Sequence, residues 1–224
     1  MGDPVNAVRI FNEKEVDELL ILDIDCSAEN KEPNYDLIEE IVSEAFMPVG
    51  YGGGIANLGI AKKVFQLGVE KVIINSALTK NLNLLSEISA IYGAQAVVGC
   101  IDYKKSFLGV TKAYFINARQ KSNATPLEWA KTIEKAGAGE IILNSVDREG
   151  GYNGFDLELL KQVVSSVNIP VVISGGASSN MDFDAAKKAG ASGMAAGSMF
   201  VYHGPHKAVL INFPTQEQLK KVFK

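Results

Sequence analysis

The sequence is poor in the features that mark secreted, membrane-spanning or nucleic-acid-binding chains. Only 2 of its 224 residues are cysteine, Cys26 and Cys100. Two thiols make no disulfide framework, and each follows an apolar run, so both read as strand-end residues of a reduced protein. No apolar stretch approaches the roughly 20 residues needed to span a bilayer, and no signal peptide opens the chain. A cytoplasmic protein without a membrane partner is expected. The 22 basic residues against 26 acidic ones leave a net charge of -4 with no Lys/Arg run. That argues against nucleic acid as a partner, because a phosphate backbone demands clustered cations. A small phosphorylated ligand stays open, since backbone amides hold phosphate without them. The 2 histidines, His203 and His206, have a His-x-x-His spacing. No cysteine or carboxylate cluster supports zinc ligation there, so they read as exposed loop residues. No metal and no cofactor is expected.

What the sequence does have is alternation. Short apolar runs at 19–24, 47–49, 71–74, 96–101, 140–143, 170–173 and 192–195 are β-branched and nearly continuous, as strands buried on both faces should be. Amphipathic helical patterns lie at 5–15, 35–45, 58–67, 82–92, 126–136, 157–167, 182–189 and 215–223. Gly68, Gly93, Gly137 and Gly190 stop helices, and Pro4 and Pro126 start them behind Asp3 and Thr125. Helix and strand in alternation imply a parallel sheet. Residues 107–117 are polar-interrupted and read as a long loop or a hairpin. Trp129, Tyr92 and Phe65 fall on helices and read as packing residues. No composition break divides the chain, so one domain over 1–224 is expected, with residues 201–224 as a tail and last helix.

The chain repeats itself. A shift of 122 residues lays Asp3-Pro4-Val5 on Thr125-Pro126-Leu127, the strand starting Glu18-Leu19 on Glu140-Ile141, and Asp25 on Asp147. The same shift lays Gly53-Gly54 on Gly175-Gly176, and Asn75-Ser76 on Gly197-Ser198. Two half-barrels follow, about 1–94 and 95–200, making a (β/α)8 barrel of the TIM type. The strand at 96–101 has no partner under this shift: its counterpart falls about 20–27 residues ahead of Met1. The expectation is therefore a barrel without its first strand. A truncated or mis-started chain, a strand borrowed from a partner, and an open barrel are the three ways to account for it.

Chemistry gathers at the strand ends. Gly53, Gly54, Gly175 and Gly176 can let backbone amides approach a phosphate, and Asn75-Ser76 and Gly197-Ser198 end the next strands one unit later. One phosphate site per half suits a ligand with a phosphate at each end. A single Gly-Gly pair would more often be a tight turn; four small motifs in twofold register favour phosphate. Asp102 ends a buried strand at the face where such barrels carry catalysis, and a carboxylate there is a general acid or base candidate. Asp23, Asp25 and Asp147 share that face as substrate or loop-ordering groups. Glu18, Lys71 and Glu140 begin strands on the opposite face, where the default role is stability.

In order, spacing and half-repeat, residues 49–55, 71–75, 96–102, 137–143, Asp147-Arg148 and Ser174-Gly175-Gly176-Ala177 resemble the HisF family, the cyclase subunits of imidazole glycerol phosphate synthase. The resemblance runs from Gly2 to about Phe200. It implies a barrel that receives ammonia from a glutaminase subunit docked on its N-terminal face. The acceptor it implies is a phosphoribulosyl-aminoimidazole carboxamide nucleotide. Asp102 matches the family's second catalytic aspartate, and the first belongs to the unmatched strand. Glu18, Lys71 and Glu140 match three of the four charged residues of the family's ammonia gate, which overturns the stability default for them. Two departures stand out: Asn117-Ala118 replaces a Ser-Gly phosphate contact, and Glu149 replaces an aspartate after Asp147-Arg148. The tail from His203 to Asn212 is instead similar to a paralogous branch linked to acetamidino modification of cell-surface sugars. A non-catalytic remnant that binds phosphate or a partner is the rival of another class.

Overall fold

The computed structural model of the chain describes residues 3–106, 109–115, 119–204 and 206–222. Seven parallel strands run in the order β1 (Leu19–Leu22), β2 (Val49–Gly52), β3 (Lys71–Ile74), β4 (Val97–Lys105), β7 (Glu140–Ser145), β8 (Val171–Ser174) and β9 (Gly193–Ala195). Two further strands follow β4: β5 (Thr111–Phe115) pairs antiparallel with β4, and β6 (Gln120–Lys121) pairs antiparallel with β5. Helix α1 (Pro4–Glu13) precedes β1, and the short α2 (Cys26–Glu29) follows it. The parallel strands are then connected by α3 (Tyr35–Glu44), α4 (Leu58–Gln66), α5 (Asn83–Tyr92), α6 (Pro126–Lys135), α7 (Leu157–Val164) and α8 (Asn180–Lys188). This is the α/β topology of a (β/α)8 barrel, open between β1 and β9: among the described residues β1 pairs only with β2, and β9 only with β8.

Strand parity sorts the core into two parts. Side chains alternate across a strand, and Val72, Ile74, Val97, Ile101, Ile141, Leu143, Val171 and Ile173 all join the cluster that packs against the helices. The opposite parity gives Ile73, Val98, Cys100 and Ile142, a smaller apolar cluster on the barrel's inner side with Leu20 and Val172 against it. Gly99 in β4 is outward, and a Cβ there would stand 2.3 Å from Ile133 Cγ2, so this glycine gives α6 its close seat.

The helices are punctuated as the sequence dictates. Thr125 Oγ1 accepts from the Glu128 amide at 3.2 Å, and Glu128 Oε2 accepts from the Thr125 amide at 2.8 Å, a capping box ahead of Pro126. Asp3 also caps its helix, α1, ahead of Pro4, accepting from the Val5 amide. Gly68, Gly93, Gly137 and Gly190 all have positive φ at helix ends. Phe65 stacks on Tyr92, and Trp129 meets Phe115 edge-on, as packing residues do.

Three expectations are corrected. The strand expected at 47–49 forms at Val49–Gly52, because inward Gly50 and Gly52 leave room for Leu20 and Leu22 beside them. Apolarity alone hides a strand built from glycines. Cys26 does not end a strand; it opens α2, with β1 already finished at Leu22. Cys100 lies inside β4, which runs on to Lys105 before turning into the hairpin. Residues 107–108 and 116–118, including Asn117-Ala118, lie outside the described residues. In the tail, α9 (Ser198–Val201) leads into a small antiparallel pair, β10 (Tyr202–His203) and β11 (Ala208–Val209), and His203 and His206 are exposed there. The last helix is α10 (Gln216–Val222).

Candidate active site

Inward parity carries three polar positions to the C-terminal rim. Asn75 follows β3, Asp102 lies late in β4, and Asn144 is its register partner in β7. Asn144 Nδ2 donates to Asp102 Oδ1 at 2.7 Å, and Asn75 Nδ2 donates to Oδ2 at 3.2 Å. Each carboxylate oxygen thus has its own amide donor. The carboxyl group is pulled two ways. Burial raises its pKa by penalising the charge, while hydrogen bonds from Asn144 and Cys100 pull it down; burial wins, so Asp102 stands above the ordinary aspartate range. Below it, burial and then the Asp102 charge push the Cys100 thiol well up, leaving Cys100 a small apolar spacer.

A cleft of about 280 Å³ opens above Asp102, lined by Ser27, Gly53, Gly54, Asn75, Ser76 and Asn144 among others. Its walls mix these polar groups with Leu22, Ile24 and Ile73. Gly53 turns the chain after β2 at φ +139°, and a Cβ there would meet the Asp23 carbonyl at 2.6 Å. Its repeat equivalent Gly175 has φ +89°, with the Ser145 carbonyl at 2.4 Å from a built Cβ. Both glycines are therefore required by the turns themselves, whatever else their amides do. Asn75-Ser76 and Gly197-Ser198 end the adjacent strands and open a 3-10 turn (Ser76–Thr79) and α9. The structure so brings the sequence candidates into two cradles, Gly53-Gly54 with Asn75-Ser76 and Gly175-Gly176 with Gly197-Ser198.

Two other aspartates of this face, Asp23 and Asp147, order loops, whereas Asp25 precedes α2 without a side-chain capping bond. Asp23 Oδ1 accepts from the amides of Asp25 at 3.0 Å and Cys26 at 3.1 Å, and its Oδ2 accepts from Cys26 Sγ at 3.1 Å. Burial opposes the Asp23 charge, yet hydrogen bonds led by those from Cys26 outweigh it and hold the carboxyl below its usual value. Burial, helped by Asp23, pushes the Cys26 thiol up to about 11. Asp147 Oδ2 accepts from the Lys105 amide at 2.8 Å and pins the start of the hairpin.

At the opposite end of the barrel, Lys71 Nζ donates to Glu18 Oε2 at 3.0 Å and Glu140 Oε2 at 2.9 Å. Burial lowers the Lys71 pKa, but the bonds to Glu140 and Glu18 outweigh it and raise the net value. The three floor residues are thus one cluster, separated from Asp102 by the inner apolar layer of Ile73, Val98, Cys100 and Ile142.

Asn144 escaped the sequence reading. Its signal was there: in a parallel pair, Asp102 and Asn144 share a register position once the strands at 96–101 and 140–143 are neighbours. Removing the closer donor by Asn144→Leu is expected to raise the Asp102 pKa further, because the charged form loses a hydrogen bond. A ¹³C titration of the Asp102 carboxyl reads this directly, and an unmoved midpoint would refute the assignment.

The fold and rim define the class: an α/β barrel whose candidate catalytic carboxylate and two glycine cradles share the C-terminal face. The family model for histidine biosynthesis proteins matches residues 1–207. A Pseudomonas aeruginosa protein, provisionally named imidazole glycerol phosphate synthase subunit hisF2, is 51% identical over 220 residues, 98% of this chain and 88% of that protein. A Leptospira interrogans protein, provisionally named as the HisF subunit, is 46% identical over 225 residues, 100% of this chain and 89% of its own. The HisF subunit of imidazole glycerol phosphate synthase from Alkaliphilus metalliredigens is 37% identical over 203 residues, 90% and 81% of the two chains. The chain belongs to the HisF family of histidine biosynthesis proteins.

Proposed function

We propose that the chain is the ammonia-using cyclase, of lyase type, in a glutamine amidotransferase pair, acting on an aminoimidazole nucleotide with a phosphate at each end. The observation that supports this best is the Asp102 carboxylate, facing the cleft and gripped by two amides. Ammonia that attacks a carbonyl carbon becomes a cationic amine and must lose a proton. A carboxylate above its ordinary pKa is a better base for that proton than a free one. Gly53, Gly54, Asn75 and Ser76 hold one phosphate of the substrate. Gly175, Gly176, Gly197 and Ser198 face the other end, and Asp147 keeps the intervening hairpin in place. Glu18, Lys71 and Glu140 form the ammonia entrance on the N-terminal face, where a HisH-like glutaminase docks. The free thiols of Cys26 and Cys100 suit a cytoplasmic setting.

A second reading has its own support: the Pseudomonas aeruginosa relative carries a numbered subunit name, as a paralogue would. In that reading ammonia chemistry is retained and the acceptor belongs to acetamidino modification of a sugar. Turnover decides between them. The folded protein, given the histidine-pathway nucleotide and an ammonium salt, is expected to release imidazole glycerol phosphate, detected by mass spectrometry. No product from protein that binds phosphate would overturn the histidine-pathway reading and leave the paralogous acceptor and the non-catalytic remnant.

A further inference from the structure

The two cradles are related by the repeat, and one position breaks the relation. Under the shift of 122 residues, Ser27 of the first half corresponds to Glu149 of the second. Ser27 lines the open cleft beside Gly53 and Gly54. Glu149 borders that cleft too, but it reaches across the second cradle: its Oε1 accepts from Ser198 Oγ at 2.8 Å and stands 3.6 Å from a Cβ built on Gly197. The space left between Glu149, Gly176, Gly197 and Ser198 is about 10 Å³, roughly the room of one water. The cation next in sequence is engaged elsewhere: Arg148 Nη1 donates to the carbonyls of Asn153 at 3.3 Å and Gly154 at 2.9 Å.

We propose that Glu149 is a specificity-determining residue: its carboxylate holds the anion position of the second cradle, so a phosphate dianion is taken by the first cradle and enters the second only by displacing Glu149. The inference rests on the phosphate reading of the cradles. Its physical basis is that a carboxylate and a phosphate compete for the same hydroxyl and backbone donors, and like charges a few ångströms apart repel. A substrate with two phosphates binds in order, first cradle first.

Inorganic phosphate is the probe, read by ¹⁵N amide shifts of the glycines on the intact chain. In the unaltered protein Gly53 and Gly54 respond about tenfold more tightly than Gly176 and Gly197. Glu149→Gln, which keeps a hydrogen-bonding group but removes the charge, and Glu149→Ser, which copies the first half, bring the second cradle to within about threefold of the first. The reciprocal Ser27→Glu weakens the first cradle about tenfold. Equal affinities in the unaltered chain, or a second cradle unmoved in both Glu149 variants, overturns the proposal. The Gly53 and Gly54 response reports separately: its absence would remove the phosphate reading itself.

Discussion

Asp102→Asn is expected to lower ammonia-dependent turnover by about 10²–10⁴-fold, the usual contribution of a positioned acid or base, without lowering the melting temperature. The second half of that expectation follows from the site's electrostatics. Burial is the largest influence on Asp102 and works against its charge. A native pKa above the unfolded value means the folded state binds this proton more tightly than the unfolded chain does. The stabilisation from that proton is complete below the unfolded pKa and is lost as pH rises through the native one. Near neutrality the unaltered protein therefore carries the full cost of a partly buried charge, and the asparagine variant does not. The hydrogen bonds can be rebuilt: Asn75 Oδ1 is buried without a partner among the described residues, and flipping the Asn75 amide presents an acceptor to the side-chain amide introduced at position 102. The advantage of the variant should shrink as pH falls through the window between the ordinary aspartate value of 3.8 and the raised native one. Melting curves across that window check the sign. A variant that melts lower at neutral pH would mean that the carboxylate is structural, and a variant that keeps its turnover would remove Asp102 from the chemistry.

Much of this site was legible because strand parity is a hard geometric rule. Once the chain alternates helix and strand, the ends of the strands at 71–74, 96–101 and 140–143 must converge, and Asp102 falls on the rim without further information. The half-repeat did the same for the glycines, since a 122-residue shift preserved five landmarks. What was hidden depended on partners rather than on residue types. The strand Val49–Gly52 carries two glycines, and its identity comes from the Leu20 and Leu22 side chains that need their space. Cys26 looked like a strand end because the apolar run before it is long, yet Asp23 fixes the start of a helix there through three hydrogen bonds. Asn144 gains its meaning from the register opposite Asp102. Glu149 was visible as a departure from the family, but only its 2.8 Å contact with Ser198 says where the longer side chain goes.

The floor cluster carries the other large effect. Lys71→Met is expected to cost about 2 kcal/mol, below the roughly 3–5 kcal/mol of a fully buried pair broken on one side, because these side chains keep some exposure, 24% for Lys71, 30% for Glu18 and 15% for Glu140. In a chain of this size that is a fall of about 4–8 °C in melting temperature. The loss comes from the carboxylates left behind rather than from the missing ammonium: Glu18 and Glu140 would face each other without a cation, and Glu18 Oε1 is already buried without a hydrogen-bond partner among the described residues. The combined variant Glu18→Gln, Lys71→Met, Glu140→Gln removes every charge at once and should recover most of the lost stability, since neutralising a whole buried network costs far less than breaking it. That pair of variants also separates the two roles of the floor. A purely structural cluster predicts that the triple variant behaves like the unaltered protein in every respect. An ammonia entrance predicts that it melts normally but shows a changed ratio between activity supported by glutamine through the partner subunit and activity supported by ammonium salt in solution. That ratio is insensitive to how much protein is folded, so an unchanged ratio would leave the floor with stability as its only role, and an unchanged melting temperature in Lys71→Met would deny it even that.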